Sequence, residues 1–147
     1  MHAYSDSLTL AEARAQYFQR SGFDESSYTA KWVKLKLGPI PFAFPNSEGR
    51  KAAVKLHDLH HVATEYDTSW TGEAEIAAWE IGAGCGRYVA AWVLNTMAMA
   101  VGFVHSPRRV VKAFRRGRKS TSLYRTRYSD DLLRMTVGEL RQQLSVS

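Results

Sequence analysis

The sequence predicts an all-α fold, a single-domain helical bundle over residues 1–147 with at most a minor extended segment near the N-terminus. The length of 147 residues is typical of one domain that buries its own core. Helix-capping patterns recur along the chain, and apolar residues return at intervals of three or four positions. A single cysteine excludes an intrachain disulfide framework.

The N-terminal third combines one helix with the extended segment. Thr9 and Glu12 form a capping-box pattern that opens a helix, and Gly22 follows its end. Apolar and lysine side chains then alternate over residues 33–37, which is the period of a β-strand. The Gly-Pro-Ile-Pro run at 38–41 is expected to break any regular structure there.

Two capped helices and an apolar helix follow. Asn46 or Ser47 caps a helix that runs to about Ala63, and the next helix starts near Gly72. Residues 88–104 are almost entirely apolar but fall slightly short of the roughly 20 residues of a membrane-spanning helix. We expect a fully buried central helix here, or one that lines a lipid cavity.

The C-terminal third predicts two further helices. Pro107 at a first helical position and Gly117 at the end of the pattern bound a basic amphipathic helix. A second capping-box pattern, formed by Thr136 and Glu139, indicates that the last helix is kinked or restarts at that point.

The net charge of +6 is divided unevenly along the chain. Eleven of the fourteen acidic residues precede residue 81, whereas residues 81–129 contain ten Lys or Arg and no acid. This layout indicates that the first half supplies carboxylates to a site and that the second half suits an anionic partner. The first twenty residues lack the apolar core of a signal peptide, so we expect a cytoplasmic protein, or one peripheral on the inner face of the membrane.

His57, Asp58 and His61 form the pattern with the clearest chemical meaning. On a helix His61 lies about 40° from His57 and Asp58 lies about 100° from it, so two imidazoles and one carboxylate share a narrow arc. This is the arrangement of a metal-binding helix. His60 points about 60° the other way and is the weaker ligand candidate.

Carboxylates of the following helix complete the candidate site. Glu73 comes after eleven intervening residues, and an antiparallel return of the chain brings it beside the first helix. Glu80, two turns later on the same face, is expected to accept a hydrogen bond from a ligand or to be an extra ligand. Two histidines and two carboxylates suit zinc, iron, manganese or cobalt, and open positions favour a catalytic or substrate-binding metal.

The spacing His-Asp-x-x-His, eleven residues, Glu resembles the signature of the fourth Coq protein family of coenzyme Q (ubiquinone) biosynthesis, in a short bacterial-type form. Further resemblance to the family lies in the Gly-Glu pair at 72–73 and in three later stretches, 117–118, 123–124 and 140–144. The resemblance as a whole covers roughly residues 44–145. The chain departs from the family pattern at Glu65, where glycine is more usual, and in the short segment before the motif.

The resemblance implies a largely helical fold and a divalent metal at His57, Asp58, His61 and Glu73. It also implies an apolar cavity for a polyprenyl chain or its phosphate, and association with a membrane-bound biosynthetic complex. The implied activity is metal-dependent oxidative decarboxylation at C1 of a prenylated aromatic ring, a lyase-type reaction in which a hydroxyl replaces the carboxylate. Tyr66 and Glu80 are the candidate catalytic proton carriers.

Five basic residues of the helix that begins near Pro107 are candidates for contact with lipid, phosphate or a membrane surface: Arg108, Arg109, Lys112, Arg115 and Arg116. A solvated charged face is the alternative of similar weight. RNA is disfavoured as a partner because no nucleic-acid-binding motif accompanies the charge.

Three functions remain open on the sequence. The first is a metal-dependent enzyme acting on a prenylated or otherwise hydrophobic aromatic acid. The second is a non-catalytic lipid-binding scaffold of a biosynthetic complex. The third is a related metalloenzyme that acts on another hydrophobic metabolite. All three bind a hydrophobic ligand, for which a prenylated or isoprenoid molecule is our expectation, and a homodimer or a biosynthetic complex is the assembly that we expect.

Overall fold

The computed structural model describes residues 3–37 and 40–146, and over that part of the chain the protein is all-α apart from one β-hairpin. The helices are α1 (Leu10–Ser21), α2 (Ser26–Thr29), α3 (Glu48–Thr64), α4 (Trp70–Ala83), α5 (Val89–His105), α6 (Pro107–Gly117), α7 (Asp130–Arg134) and α8 (Val137–Leu144). One turn of 3₁₀-helix, Leu123–Arg125, lies between α6 and α7. The predicted fold class is confirmed.

The hairpin corrects one expectation. Strand β1 (Trp32–Leu37) pairs in antiparallel fashion with β2 (Ile40–Pro45), with Trp32 opposite Pro45. The predicted strand is therefore present, but the expectation that regular structure ends before Ile40 and Pro41 is wrong. Each strand of a two-stranded ribbon has an open edge, and such an edge tolerates proline. The first half of the predicted break, residues 38–39, lies outside the described residues.

The predicted caps are present. Thr9 and Glu12 form a complete capping box at α1, and a second one opens α8 at Thr136, so the last helix restarts there after α7. Ser47 caps α3 by accepting a hydrogen bond from the backbone N–H of Arg50. Helix α4 begins slightly earlier than predicted, because Ser69 is its cap and Gly72 lies in its first turn.

Helix α4 lies at the centre of the packing and contacts α5 and α6 over much of its length. Both neighbours approach it at glycines. A Cβ atom at Gly102 of α5 would lie 2.2 Å from Ala74 Cβ, and one at Gly117 of α6 would lie 2.1 Å from the Trp79 carbonyl oxygen. Such separations are far below van der Waals contact. The close packing of α5 and α6 on α4 therefore requires glycine at these two positions.

The expectation that residues 88–104 form a fully buried helix is wrong, whereas the alternative that the helix lines a cavity matches its position. Only Ala91, Asn95 and Gly102 of α5 are buried. Its outer face carries exposed apolar side chains, and Val104 is 79% exposed. The helix packs on its partners through one side, and no other described element covers the opposite side. None of the helices in the described ranges is both long and apolar enough to cross a membrane.

Gly117→Ala is expected to lower the free energy of unfolding by about 1–3 kcal/mol, because the added methyl group meets the α4 backbone and forces α4 and α6 apart. Urea denaturation followed by circular dichroism measures the change. Gly49→Ala is the matched control, since the methyl group that it adds has no packing neighbour within 4 Å, and we expect it to be neutral or stabilising by up to about 1 kcal/mol. Equal effects of the two substitutions would contradict the close packing of α4 on α6.

Candidate metal centre

Three side chains from α3 and α4 converge on one point: His57, His61 and Glu73. Each offers a ligand atom, and these atoms all lie within 4.8 Å of one another. The Nε2 atoms of His57 and His61 are 3.1 Å apart. The carboxylate of Glu73 lies 3.6 Å from His57 Nε2 and 3.4 Å from His61 Nε2. These three residues can therefore hold a metal ion.

The ring orientations leave both Nε2 atoms for a cation. His57 Nδ1 donates to Glu80 Oε1 at 2.8 Å, and His61 Nδ1 donates to the Tyr66 carbonyl oxygen at 2.8 Å. These tautomers follow from the hydrogen-bond network, because a carbonyl or carboxylate oxygen accepts but does not donate. The two Nε2 atoms then face each other, an arrangement that needs a proton or a metal ion between them.

The separations between the ligand atoms fit a metal site. Nitrogen and carboxylate oxygen lie about 2.0–2.2 Å from zinc, so two ligands at a tetrahedral angle are about 3.3–3.6 Å apart. The two Nε2 atoms are 3.1 Å apart, Glu73 Oε1 lies 3.4 Å from His61 Nε2, and Glu73 Oε2 lies 3.6 Å from His57 Nε2, so each pair is close to that separation. Three protein ligands leave at least one coordination position open, which is typical of catalytic zinc sites and of iron(II) sites with two histidines and one carboxylate.

Glu80 is fully buried behind this centre and accepts hydrogen bonds with both oxygens. Its Oε1 lies 2.8 Å from His57 Nδ1 and 2.6 Å from His60 Nδ1. Its Oε2 accepts from the Asn95 side-chain amide and, at 2.8 Å, from the Tyr124 hydroxyl. This arrangement matches the predicted role of an acceptor behind a ligand. The role of Glu80 as a proton carrier stays a prediction.

The electrostatics of the cluster favour ionised carboxylates. Burial alone would raise the pKa of Glu73, but the hydrogen bonds and charges of His57 and His61 lower it to about 2. Burial opposes ionisation of Glu80 in the same way, and His57 and His60 outweigh it, so the pKa of Glu80 is well below its usual value. Burial also opposes charge on His57, yet Glu80 and Glu73 raise its pKa well above the usual value. The centre therefore attracts a cation.

Asp58 is buried beside the centre, but it is not one of the three residues that share the 4.8 Å cluster. Its Oδ2 accepts a hydrogen bond from the Tyr28 hydroxyl. Burial raises the pKa of Asp58, against the opposing charge of His57. The rotation of about 100° between adjacent helical positions explains why Asp58 turns away from the direction that His57 takes. As a metal ligand it stays a prediction.

The two remaining aromatic candidates have structural contacts. Both ring nitrogens of the fully buried His60 are used, since Nδ1 binds Glu80 and Nε2 accepts the backbone N–H of Leu123 at 2.8 Å. This leaves His60 no nitrogen for a metal. Tyr66 enters the site through its carbonyl group, and its ring lies under the Arg116 guanidinium at 5.4 Å. Its role as a proton carrier stays a prediction.

A cavity of about 800 Å³ opens in front of the centre. His57, Asp58 and Glu73 belong to its wall, which also includes the polar side chains of Arg50 and Asn95. Small and apolar side chains of α5 form the opposite wall: Ala90, Ala91, Leu94, Met97, Ala98 and Val101. The site therefore combines a cluster that can bind a cation with room for a hydrophobic molecule of considerable size.

No family model, no curated protein and no solved structure matches this chain. The resemblance to the fourth Coq family therefore rests on its motif residues alone and stays a prediction.

The predicted basic residues of α6 fall into two groups. Arg109 forms a two-pronged ion pair with Glu75, at 3.0 and 2.7 Å, and Arg116 donates to the Thr64 carbonyl oxygen at 3.1 Å. The other three are exposed and have no hydrogen-bond or ion-pair partner within residues 3–37 and 40–146: Arg108, Lys112 and Arg115. Two of the five basic side chains are thus tied to neighbouring elements of the bundle.

Sequence reasoning missed several residues that support the centre. Asn95 is one of the few polar residues in the apolar stretch 88–104, and a lone amide in a helix core is a signal for a buried partner. Tyr17 stacks on the His61 ring at 5.3 Å, and Tyr28 binds Asp58. No local pattern reveals these tyrosines, because both contacts join segments that are far apart in the sequence.

Cys85 is fully buried, and burial raises its pKa to about 12. Because the thiolate is the reactive form, we expect the native protein at pH 8 to react with a disulfide reagent at least about a hundredfold more slowly than the same protein unfolded in guanidinium. Absorbance of the released thiolate measures both rates. Similar rates in the two states would contradict the burial of this thiol.

Proposed function

We propose that the protein is a metalloprotein that binds a hydrophobic ligand beside a divalent metal ion held by His57, His61 and Glu73. The observation that carries this proposal is the pair of Nε2 atoms that face each other at 3.1 Å while both Nδ1 atoms are bound to oxygen acceptors. The apolar cavity in front of these atoms supports the second half of the proposal.

The donor set limits the choice of metal ion. Two imidazoles and one carboxylate are typical of catalytic zinc and of mononuclear iron(II), and manganese and cobalt also accept them. A bound ion of this kind supplies a Lewis acid that stabilises negative charge on a carboxylate or phenol oxygen of a substrate. Asp58 lies in the cavity wall beside the ligands and is the candidate fourth ligand.

The chain's own residues have three tasks in this proposal. Glu80 and the Tyr66 carbonyl group hold the imidazoles in one tautomer and one orientation. The α5 wall, with Leu94, Met97 and Val101, accepts the apolar body of the ligand and excludes water around it. Glu73, with 40% of its side chain exposed, faces the open side of the cluster.

The finer proposal follows the motif resemblance: metal-dependent oxidative decarboxylation at C1 of a prenylated aromatic acid, with dioxygen as the oxidant and carbon dioxide as the leaving group. The location is cytoplasmic or peripheral on the membrane. A hydrophobic aromatic acid fits the combination of an apolar cavity with a cationic centre. Two alternatives remain: a non-catalytic lipid-binding scaffold, and a related metalloenzyme for another hydrophobic metabolite. An assay of turnover separates both from this proposal.

Metal analysis of the purified protein tests the main proposal. We expect about one zinc, iron or manganese ion per chain, and we expect His61→Ala to lose it, because one of three ligands is removed. The same variant should abolish turnover of a 3-prenyl-4-hydroxybenzoate substrate if the protein is an enzyme. Elemental analysis by plasma mass spectrometry and product analysis by liquid chromatography are the measurements.

His105→Ala is the matched control for this experiment. His105 lies in the cavity wall outside the ligand cluster, so its loss should leave the metal content unchanged. A wild-type protein that binds none of these metals after incubation with them, or a His61→Ala variant that keeps its metal, would refute the proposed centre. Metal bound without turnover would favour the scaffold.

The outer face of α5 favours a second function, contact with an anionic membrane surface. Val93, Phe103 and Val104 are 52–79% exposed and lie on a helix that continues, after Ser106, into the basic helix α6. An apolar face beside exposed cations is the pattern of a peripheral membrane contact. We commit to anionic lipid as the occupant because the exposed α6 side chains Arg108, Lys112 and Arg115 complement it in charge.

Sedimentation with phosphatidylglycerol vesicles tests the membrane contact. Lys112→Gln should lower the partition coefficient about fivefold, because a basic residue near the surface contributes about 1 kcal/mol, and Val104→Glu should lower it further. Arg134→Gln, which removes an exposed charge on α7, is the control and should have little effect. Equal binding to neutral vesicles, or a dimer in solution that Val104→Glu dissociates, would refute the membrane contact.

A further inference from the structure

The cavity has a second polar feature at a distance from the metal ligands. Arg50 is the sole lysine or arginine among the described residues that line it. It lies seven positions before His57 on α3, which corresponds to about 10 Å along the helix and to nearly the same face. The intervening wall consists of Ala53 and Val54. The two polar points are therefore joined by an apolar strip.

The guanidinium of Arg50 is poorly satisfied by the protein. Its hydrogen bond to a side chain is a single one, from Nη1 to Asn46 Oδ1 at 3.2 Å, and no carboxylate lies within ion-pair distance of it in the described ranges. Arginine offers five N–H donors, and a desolvated cation normally has an anionic partner. Burial lowers the pKa of Arg50, against the distant charge of Asp58. The group is thus partly desolvated and has donors to spare.

The contacts between α4 and α5 give the relative direction of these two helices, both of which line the cavity. Glu80 of α4 lies beside His57 of α3 and beside Asn95 of α5, whereas Ala74 lies beside Gly102. Helix α5 therefore runs antiparallel to α4, so that the end of α5 lies beside the beginning of α4.

Arg50 of α3 and Ala90 and Ala91 at the beginning of α5 line this same cavity. Trp70 at the beginning of α4 and His105 at the end of α5 also line it. The α5 wall from residue 90 to residue 105 is about 22 Å long.

We propose that Arg50 is an anion-binding subsite of the cavity, which selects amphiphiles that carry a carboxylate or phosphate group about 10 Å or more from the group that faces the metal ligands. The bond to Asn46, which lies four residues earlier and just before α3, draws the guanidinium toward the side away from His57. The apolar body of such a ligand lies along the strip between the two polar points. This inference deepens the proposed function, since it names the ligand's head group.

Titration calorimetry with decanoate and 1-decanol tests the subsite, because the two molecules share an apolar chain and differ in charge. We expect the wild-type protein to bind decanoate at least about tenfold more tightly than decanol, which is the range of a hydrogen-bonded charge pair. Arg50→Met, which keeps the apolar stem, should remove this preference and leave the affinity for decanol unchanged. Arg115→Met, on the outer face of α6, is the matched control and should keep the preference.

Further arms separate the sources of the effect. Arg50→Lys keeps the charge and should keep most of the preference for decanoate. If Arg50→Lys loses this preference as Arg50→Met does, the role of charge is refuted. Decyl phosphate should bind as decanoate does, whereas acetate and inorganic phosphate should bind weakly, because they lack the chain; tight binding of the small anions would refute the amphiphile as the ligand. Equal wild-type affinities for decanoate and decanol would overturn the proposal.

The same titrations, repeated after treatment with a chelator, distinguish this proposal from the metal proposal. A preference for decanoate that depends on Arg50 and persists without metal supports the subsite even if the chain binds no metal. A preference that disappears with the metal and is unchanged in Arg50→Met assigns the carboxylate to the metal centre and refutes the subsite.

Discussion

The buried carboxylate of Glu80 is the interaction on which the rest of the structure depends. One oxygen binds the two imidazoles of His57 and His60, and the other binds Asn95 of α5 and Tyr124 of the 3₁₀ turn. An ionised group without water needs such partners, because its desolvation costs several kcal/mol. Four elements of the bundle are therefore joined at one charge.

This arrangement couples the shape of the cavity to the geometry of the candidate metal centre. Asn95 and Tyr124 line the cavity and also bind Glu80, which in turn holds His57 Nδ1. A movement of α5 would act on the same hydrogen bonds that orient His57, one of the three residues that can hold a metal ion. Helix α5 packs through one face and leaves the other exposed, so its outer side is not held by another described element.

Local sequence patterns predicted the elements well where a short-range physical rule applies. The capping boxes at Thr9 and Thr136 depend on side chains three positions apart, and both are present. The pairing of His57 with His61 depends on one helical turn, and these rings do face one point. The prediction failed where the neighbours of an element decide: α5 has the composition of a core helix, but its partners cover one side of it.

The sequence by itself determined the helical class, most helix boundaries, and the set of residue types that the centre contains, because periodicity and capping are local properties. Only the tertiary structure decided which of the candidates meet. It brought Glu73 of α4 to His57 and His61, turned Asp58 toward Tyr28, and used both nitrogens of His60 within the core. These outcomes depend on how α3 lies against α4 and α5, and that placement involves bonds between distant segments, such as those of His57 and Asn95 to Glu80, rather than any local pattern.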